Sequence, residues 1–460
     1  MLKETIQKQT QSSGGVERRV YVLLTFIAVG SLVQFGAGMQ VLTILIALTN
    51  IFSPQGRIAI VLIAPLISGA GSIGISFAEL AIPLLLAISV LQAFTTKPRQ
   101  KHRFPKVLLS WGFVFAYIFA VSLPISISLG TGILVVLSDA INYTLPFLGL
   151  YVLSKDISRV AAETKILLAF YFLTVATFLH VSQWATNRGF TNLNLGLESS
   201  RGIDSSFFVL VALTYPFKKF YLRILAIVMA VSGLLLTGSR TSWGIALVAF
   251  SISFLFMRRE QSAKTTLGLI VATVSGFQLA RLLVTDDFLS RFEARLQLFS
   301  RVLTQGTQGD ASALQRSQAT AQVLNDWQAS IFFGNGPGHA YSWIIWDPKY
   351  RQLVTSSYQI DSPLAPLGEL GLVGFCLLIV SLVITLYSLV QVARLNEMTA
   401  VAVSTSTAFV ILSIFFYAPT DYKAFTSLMV ALFLLCDSSN INKSIRNANA
   451  LVVKFPTGKK

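Results

Sequence analysis

The sequence predicts an all-α polytopic membrane protein with about fourteen transmembrane helices and one large extracytoplasmic helical loop. Of its 460 residues, 54% are hydrophobic and only 12% are charged, and the mean hydropathy is +0.68. A soluble protein of this size carries roughly 25% charged residues. Apolar runs long enough to cross a bilayer recur along the chain, and one long polar stretch interrupts them.

The apolar runs divide the chain into four regions. Residues 1–284 hold most of the predicted spans and a short outer loop at 186–204, and residues 285–361 form the large extracytoplasmic loop with amphipathic helices. Residues 362–437 hold the C-terminal transmembrane helices, and residues 438–460 form a basic cytoplasmic tail. The spans are predicted near residues 20–36, 39–53, 57–71, 76–95, 107–124, 132–153, 164–184, 204–217, 221–238, 241–257, 264–284, 362–392, 398–418 and 421–437.

Basic residues orient the predicted spans. Most of the 36 lysines and arginines lie in the tails and in alternate loops, with the clearest clusters at Lys97–Arg103 and Met257–Glu260. Because cytoplasmic loops carry an excess of Lys and Arg, we expect both termini in the cytoplasm and the large loop outside. The same rule accounts for the net charge of +16, so no nucleic-acid partner is expected. The sequence contains no Walker lysine motif, so ATP-driven transport by this chain alone is not supported.

Cysteine and histidine usage indicates no disulfide framework and no metal site, and no cofactor is expected. Cys376 and Cys436 both lie inside apolar runs, which favours buried, inert thiols. The three histidines are isolated in the sequence, and their spacing does not suit a set of metal ligands. His102 lies in a basic loop and His180 is interpreted as a packed core residue, whereas His339 lies in the large loop and is a candidate for substrate binding.

The large loop carries signals of ordered structure. Apolar residues recur at helical spacing from Phe288 to Leu303, with arginines between them, a pattern typical of a helix on a membrane surface. Asp310 can cap a second helix that runs through Arg316 to about Phe333.

A glycine-rich turn follows that second helix. The segment Gly334–Gly338 reads Gly-Asn-Gly-Pro-Gly, which cannot continue a helix. Backbone N–H groups at Gly334 and Gly336 could bind an anion of the substrate. A plain helix stop explains the same residues equally well.

Arg240 stands between two apolar runs that have almost no loop between them, in the segment Thr237–Gly244. Its guanidinium must therefore lie at the outer membrane boundary, close to helix ends. A snorkelling arginine that marks the end of a span is the alternative interpretation. Because basic residues are disfavoured on the outer side, and Ser, Thr and Gly surround this one, an oxyanion-binding role is favoured.

Arg316, Arg188 and Arg201 are further arginines of the outer loops. Arginine offers a fork of donors that matches phosphate oxygens, and it keeps its charge. Several arginines near the outer membrane surface therefore suit a lipid diphosphate. For Arg188 and Arg201, a solvated loop charge explains each residue equally well.

Acidic residues beside the spans are the remaining candidates. Asp361 directly precedes a predicted span, where its carboxylate could accept a proton from a sugar hydroxyl. A helix N-cap is the alternative role for Asp361. Asp139 lies within an apolar run and Glu79 near an outer span end, and both could serve only as hydrogen-bonding groups between helices.

Three segments of the sequence stand in an order typical of one family. Thr237–Thr241 reads T-G-S-R-T and precedes an apolar span. Arg316, Trp327 and Phe333–Gly338 follow in the order Arg…Trp…G-x-G-x-G, and Leu364–Gly374 reads L-x-x-x-x-E-x-G-x-x-G at the start of a span. Together these segments, within roughly residues 180–380, resemble the O-antigen polymerase and ligase superfamily (Wzy/WaaL-like).

The resemblance implies a glycosyltransferase that acts, without a metal or cofactor, on undecaprenyl-diphosphate-linked glycans at the outer face of the bacterial inner membrane. It also implies a fold similar in part to the glycosyltransferase C class. By position, Arg240 and Arg316 match the family's essential arginines, and Arg201 or Arg188 matches a third. Ligases of the family carry a His-Asn-like pair just before the Glu-Gly span, where this chain has Ile360-Asp361-Ser362. That departure favours a polymerase.

The sequence therefore predicts a polymerase that joins lipid-linked oligosaccharide repeat units into a surface polysaccharide. Expected partners are the lipid-linked substrates, membrane lipids, and chain-length regulator and flippase proteins. An O-antigen ligase with lipid A core as acceptor is one alternative, and a transporter or lipid-linked glycan flippase is another. A flippase should show internal repeats and polar residues through many spans, which this sequence lacks. The catalytic candidates are Arg316, Arg240 and Asp361, and the substrate-binding candidates are Arg201, Arg188, Gly334, Gly336 and His339.

Overall fold

The computed structural model of the chain describes residues 48–67, 77–95, 104–161, 164–165, 168–169, 274, 297, 311–344, 354–357, 362, 364–393, 426–427, 429–434 and 437. These residues are mostly helical. In chain order, the elements are α1 (Pro54–Ile67), α2 (Phe77–Thr95), α3 (Pro105–Tyr117), a π-helix (Ile118–Ser122), α4 (Leu123–Ser128), α5 (Ile133–Asp156), a 3-10 turn (Ile157–Arg159), α6 (Ala311–Ala329), β1 (Tyr341–Ile344), β2 (Val354–Ser357) and α7 (Ala365–Ala393).

Three helical segments of the described chain are long and apolar enough to cross a membrane. They are Pro105–Ser128, Ile133–Arg159 and Ala365–Leu389. They coincide with the spans predicted at 107–124, 132–153 and 362–392, and α1 and α2 overlap the spans predicted at 57–71 and 76–95. The predicted spans at 20–36, 204–217, 221–238, 241–257 and 398–418 lie outside the described residues.

The first membrane-crossing segment is continuous through α3, the π-helix and α4. Pro124 has no N–H, and its ring would clash with the carbonyl four residues earlier in a regular α-helix. The π-helix Ile118–Ser122 ends two residues before this proline and accommodates the mismatch with one wider turn. Tyr117, the last residue before the wide turn, reaches α7 with its hydroxyl.

Helix α5 lies at the centre of the described bundle and contacts α1, α2 and α3. A Cβ at Gly149 of α5 would lie 2.7 Å from Thr426 Cγ2 and 3.1 Å from Val61 Cγ1, so glycine permits close packing there. At its C-terminal end, Asp156 accepts two hydrogen bonds from the buried guanidinium of Arg57, at 2.6 and 2.7 Å. A paired, bidentate geometry is what makes two charges tolerable inside an apolar bundle.

The structure corrects the predicted course of the large loop at two points. α6 ends at Ala329 rather than near Phe333, because the next residues turn and pair with α7 instead of continuing the helix. β1 and β2 then form an antiparallel hairpin in which Tyr341 stands opposite Ser357, so the predicted all-α class is wrong for this segment. Strands of four residues are too short to show a clear alternating pattern. The amphipathic helix predicted over 288–303 lies, apart from Gln297, outside the described residues.

Helix α7 packs along α3, where Trp111 Nε1 donates a hydrogen bond to Thr385 Oγ1 at 2.9 Å. Its backbone breaks at Gly371, which has φ 65° and ψ −175°. The prediction of a buried thiol at Cys376 is wrong, because that side chain is exposed on the surface of α7. An apolar run does not distinguish side chains that face the protein from those that face lipid. Cys436 lies outside the described residues.

Candidate functional site

The glycine turn Gly334–Gly338 packs directly against the break in α7. The N–H of Asn335 donates to the carbonyl of Gly368 at 3.0 Å, and the N–H of Gly336 donates to the carbonyl of Glu369 at 2.8 Å. In an unbroken helix these carbonyls would accept from the residues four positions later. The N–H groups of the turn therefore bind two carbonyl groups that the break in α7 leaves without their usual helical donors.

The donors released by the break find partners in the residues just before the turn. The N–H groups of Leu372 and Val373 donate to the carbonyls of Ile331 and Phe332, at 2.9 and 3.1 Å. Four backbone groups freed at Gly371 are thus paired by one segment of the large loop. Non-helical backbone beside a membrane-crossing helix is tolerated when its polar groups are satisfied in this way.

The spacing of the glycines follows from how closely the two backbones approach. Gly334, Gly336, Gly338 and Gly371 all have positive φ, between 65° and 82°, a region that other residues rarely adopt. A Cβ at Gly334 would collide with the backbone of Glu369, and a Cβ at Gly371 would collide with the backbone at Gly334. The G-x-G-x-G and E-x-G-x-x-G segments therefore form one interlocked unit, the glycine lock.

The hydrogen bonds of the lock bear on the two interpretations of Gly334 and Gly336. The N–H of Gly334 donates to Ser330 at 2.9 Å, that of Gly336 to Glu369, and that of Gly338 to a carboxylate oxygen of Asp139 at 2.6 Å. Because protein acceptors engage these donors, the geometry supports a helix stop with close backbone packing rather than an anion-binding turn.

Two side chains of the first membrane-crossing segment hold the lock in place. The Tyr117 hydroxyl donates to the carbonyl of Leu370 at 2.7 Å. The buried Ser126 hydroxyl donates to the carbonyl of Pro337 at 2.7 Å. The turn is thus pinned between two membrane-crossing helices.

A pair of carboxyl groups lies beside the turn. Asp139 and Glu369 are in side-chain hydrogen-bonding contact. Glu369 is buried, and its Oε2 accepts a hydrogen bond from the Tyr143 hydroxyl at 2.6 Å. Asp139 also accepts from the N–H of Gly338 and lies 3.4 Å from the amide of Asn142. This network joins α5, the turn and α7, in agreement with the interpretation of Asp139 as a hydrogen-bonding group between elements.

His339 directly follows the turn and pairs with Asp326 near the end of α6. Its Nε2 lies 3.0 Å from Asp326 Oδ2, and both side chains are about one quarter exposed, at 26% and 23%. Asp326 Oδ1 accepts a hydrogen bond from Gln322 Nε2 at 2.7 Å, and the His339 and Tyr341 rings pack edge to face at a centroid distance of 4.7 Å. The histidine ring is therefore held on two sides while remaining accessible.

An apolar cluster fixes α6 against the start of α7. Ala319 and Val323 of α6, Tyr341 of β1 and Ala365 of α7 are all buried together. The Thr320 hydroxyl lies 2.9 Å from that of Ser362.

Arg316 lies one helical turn before Thr320 in α6, and Ser362 is the residue after Asp361. The contact between Thr320 and Ser362 therefore brings the helix of Arg316 to the end of the large loop.

The sequence-predicted site residues fall into two groups. The structure brings Gly334, Gly336 and His339 together, and it places the backbone of Arg316 on α6. The other four candidates lie outside the described residues; they are Arg240, Asp361, Arg188 and Arg201. Within the described part of the chain, no group of three or more His, Cys, Asp or Glu residues could hold a metal ion.

Sequence reasoning missed Asp326 and Tyr143. Asp326 is the only acidic residue of α6. A single carboxylate in an otherwise non-acidic helix is the sequence signal that could have identified it. Its pairing with His339 depends on the chain reversal at the glycine turn, which the sequence does not specify in three dimensions. Tyr143 stands in an apolar helix without a distinguishing pattern.

Comparisons with protein-family models, curated proteins and solved structures found no match for this chain.

Proposed function

We propose that this chain is a membrane glycosyltransferase that polymerises undecaprenyl-diphosphate-linked oligosaccharide repeat units at the outer face of the bacterial inner membrane. The glycine lock is the observation that carries the proposal. It joins two of the three segments in which the sequence resembles the O-antigen polymerase and ligase superfamily. A site where a loop meets a membrane-crossing helix suits a substrate whose lipid tail lies in the bilayer and whose sugars lie in water.

The proposed reaction is a single displacement at the anomeric carbon of the donor's first sugar. A hydroxyl oxygen of the acceptor glycan forms the new glycosidic bond as the bond to the diphosphate oxygen breaks. Undecaprenyl diphosphate leaves, and the hydroxyl proton passes to a base on the protein. Arg316 and Arg240 would offset the charge that develops on the leaving diphosphate, with Arg201 or Arg188 as a third cation.

His339 is the candidate that the described residues offer for the acceptor side. With Nε2 held by Asp326, the other ring nitrogen faces a different direction, where it could meet a sugar hydroxyl. Asp361 is a second candidate for the same role, because the neighbouring Ser362 is anchored on α6. The sequence Ile360-Asp361-Ser362, where ligases carry a His-Asn-like pair, favours the polymerase over the ligase.

Reconstitution with defined substrates tests the function. Purified protein in liposomes, given only undecaprenyl-diphosphate repeat units, should produce a ladder of longer lipid-linked chains on a gel. We expect the ladder to form in EDTA as well, because the resemblance implies a metal-independent enzyme. An Arg316→Ala protein at equal amount is the matched control and should give no ladder.

The acceptor separates the proposal from its nearest alternative. A ligase should produce nothing until lipid A core is added and should then give a capped glycolipid. That pair of results would replace the polymerase by the ligase. Directional movement of the lipid-linked unit across the liposome membrane without any new glycosidic bond would replace both enzymes by a flippase.

A further inference from the structure

The turn that follows α6 exposes three consecutive large apolar side chains. Ile331, Phe332 and Phe333 are 43%, 61% and 50% exposed, whereas Gly334 directly after them is buried. Water-facing loops rarely present an uninterrupted run of this kind. Something apolar is therefore expected to cover these residues, which we call the apolar turn.

The apolar turn lies beside a membrane-crossing helix. Its carbonyls at Ile331 and Phe332 accept from Leu372 and Val373, which are themselves 41% and 39% exposed and belong to the apolar segment Ala365–Leu389. The apolar turn therefore continues an exposed apolar surface of α7, a helix long and apolar enough to cross a membrane.

The carbonyl groups of the apolar turn also have hydrogen-bond partners, as an apolar environment requires. The carbonyl of Ile331 accepts from the indole N–H of Trp327 at 2.9 Å as well as from Leu372. The carbonyl of Phe332 accepts from Val373, and that of Phe333 lies 3.5 Å from the Tyr117 hydroxyl. Non-helical backbone enters the hydrocarbon region only where its polar groups have such partners.

We propose that Ile331, Phe332 and Phe333 insert into the bilayer and contact the acyl chains of membrane lipids, so that the large loop is anchored at the membrane beside α7. The occupant is bilayer lipid rather than a protein partner, because the apolar turn is hydrogen-bonded to the exposed residues Leu372 and Val373 of α7, a helix long and apolar enough to cross a membrane. The anchor fixes the height of α6 relative to the bilayer. This proposal does not depend on the proposed enzymatic function.

Site-directed fluorescence measures the environment of the apolar turn. Phe332→Cys is introduced into the full chain with Cys376→Ser and Cys436→Ser, labelled with an environment-sensitive fluorophore and reconstituted into phosphatidylcholine–phosphatidylglycerol vesicles. Gln328→Cys, an exposed polar position one turn earlier at the end of α6, is the matched control. Both positions are exposed, so neither substitution removes a buried contact, and thermal unfolding of the labelled proteins checks that they remain folded.

The label at Phe332 should emit at shorter wavelength than the label at Gln328. It should be quenched strongly by lipids that carry a nitroxide on the acyl chain, and its quenching by iodide should be several-fold weaker than at Gln328. Equal iodide quenching at both positions would overturn the proposal, since the apolar turn would then face water. Protection from both quenchers would also overturn it, because protein rather than lipid would cover the apolar turn.

Discussion

Arg316 is the only basic residue of α6, and its helix is held by the buried cluster of Ala319, Val323 and Tyr341. If it offsets the charge on a leaving diphosphate, Arg316→Ala should abolish long glycan at normal protein level. The loss is on the order of 3 kcal/mol of transition-state stabilisation, or roughly a hundredfold in rate. Arg316→Lys should restore little, since lysine lacks the bidentate fork. Ser317→Ala, at the exposed position directly after it on the same helix, should keep full activity in the same polymer assay.

The His339–Asp326 pair can be tested by non-additivity. If Asp326 acts by orienting the His339 ring, His339→Ala should reduce kcat strongly and Asp326→Asn should reduce it less. The double variant should be no slower than His339→Ala alone, because residues that act as a unit do not contribute independently. Independent, multiplicative losses would show that Asp326 does not act through His339.

Gly371 is the residue on which the glycine lock depends most directly. Gly371→Ala places a side chain in a backbone region that is almost restricted to glycine, which costs about 1–3 kcal/mol, and its Cβ would also collide with the backbone of Gly334 and Phe332. We expect a large fall in the thermal unfolding temperature in detergent. Gly112→Ala is the control: its Cβ would lie 3.5 Å from the Phe147 ring, at ordinary contact distance within a helix. An unchanged unfolding temperature for Gly371→Ala would mean that the lock does not form.

These residues also show what sequence alone predicts at this scale. A turn at Gly334–Gly338 follows from residue chemistry, because three glycines and a proline within five residues cannot continue a helix. Its partner could not be foreseen: Gly368 and Glu369 lie more than thirty positions later, and the pairing needs the break at Gly371. Local sequence specified the turn, whereas tertiary hydrogen bonds decided what its N–H groups bind.

At the scale of elements, the buried pair between α1 and α5 carries the clearest energetic prediction. Asp156 is the last residue of α5, and Arg57 also donates to the carbonyl of Ile51 at 2.9 Å. Arg57→Ala leaves a buried, unpaired carboxylate, so we expect about 3–5 kcal/mol of destabilisation. Replacing both residues, as Arg57→Met with Asp156→Leu, should cost less than Arg57→Ala alone. Thermal unfolding of the unaltered protein and the two variants in detergent gives the order of stability, and a double variant less stable than Arg57→Ala would contradict the argument.

The elements themselves were predictable to different degrees. Hydropathy correctly predicted long apolar helices at 107–124, 132–153 and 362–392, because the length of an apolar run is a direct signal of a candidate span. The end of α6 was predicted too late in the chain, because pairing of Ile331 and Phe332 with α7 outweighs their local tendency to remain helical. The strands β1 and β2 were missed, since each has only four residues. The mean hydropathy of α7 does not show which of its sides is exposed, so the exposure of Cys376 could not be predicted.

At the scale of the whole molecule, the contacts sort to the two ends of α5. In the first half of α5, Asp139 accepts a hydrogen bond from Gly338 of the glycine turn, and Tyr143 donates one to Glu369 of α7. At the last residue of α5, Asp156 accepts hydrogen bonds from Arg57. From Asp139 to Asp156 the rise is about 26 Å along the helix axis, most of the thickness of a bilayer core. For a helix that crosses the membrane, this separation would place the lock and the ion pair near opposite membrane surfaces. Which surface faces outward is a prediction from the distribution of Lys and Arg alone.

Cysteine labelling in intact cells tests that orientation. In a chain with Cys376→Ser and Cys436→Ser, Ser342→Cys lies at an exposed position of β1 on the side of the glycine lock, and Ser262→Cys lies in a predicted cytoplasmic loop next to the basic cluster Met257–Glu260. A membrane-impermeant maleimide should label Ser342→Cys, and it should label Ser262→Cys only after the cells are opened. The physical reason is that a loop rich in Lys and Arg is retained on the cytoplasmic side during insertion. Labelling of Ser262→Cys alone in intact cells would mean that the whole chain has the opposite orientation in the membrane. The site would then face the cytoplasm, where the proposed polymerase could not act.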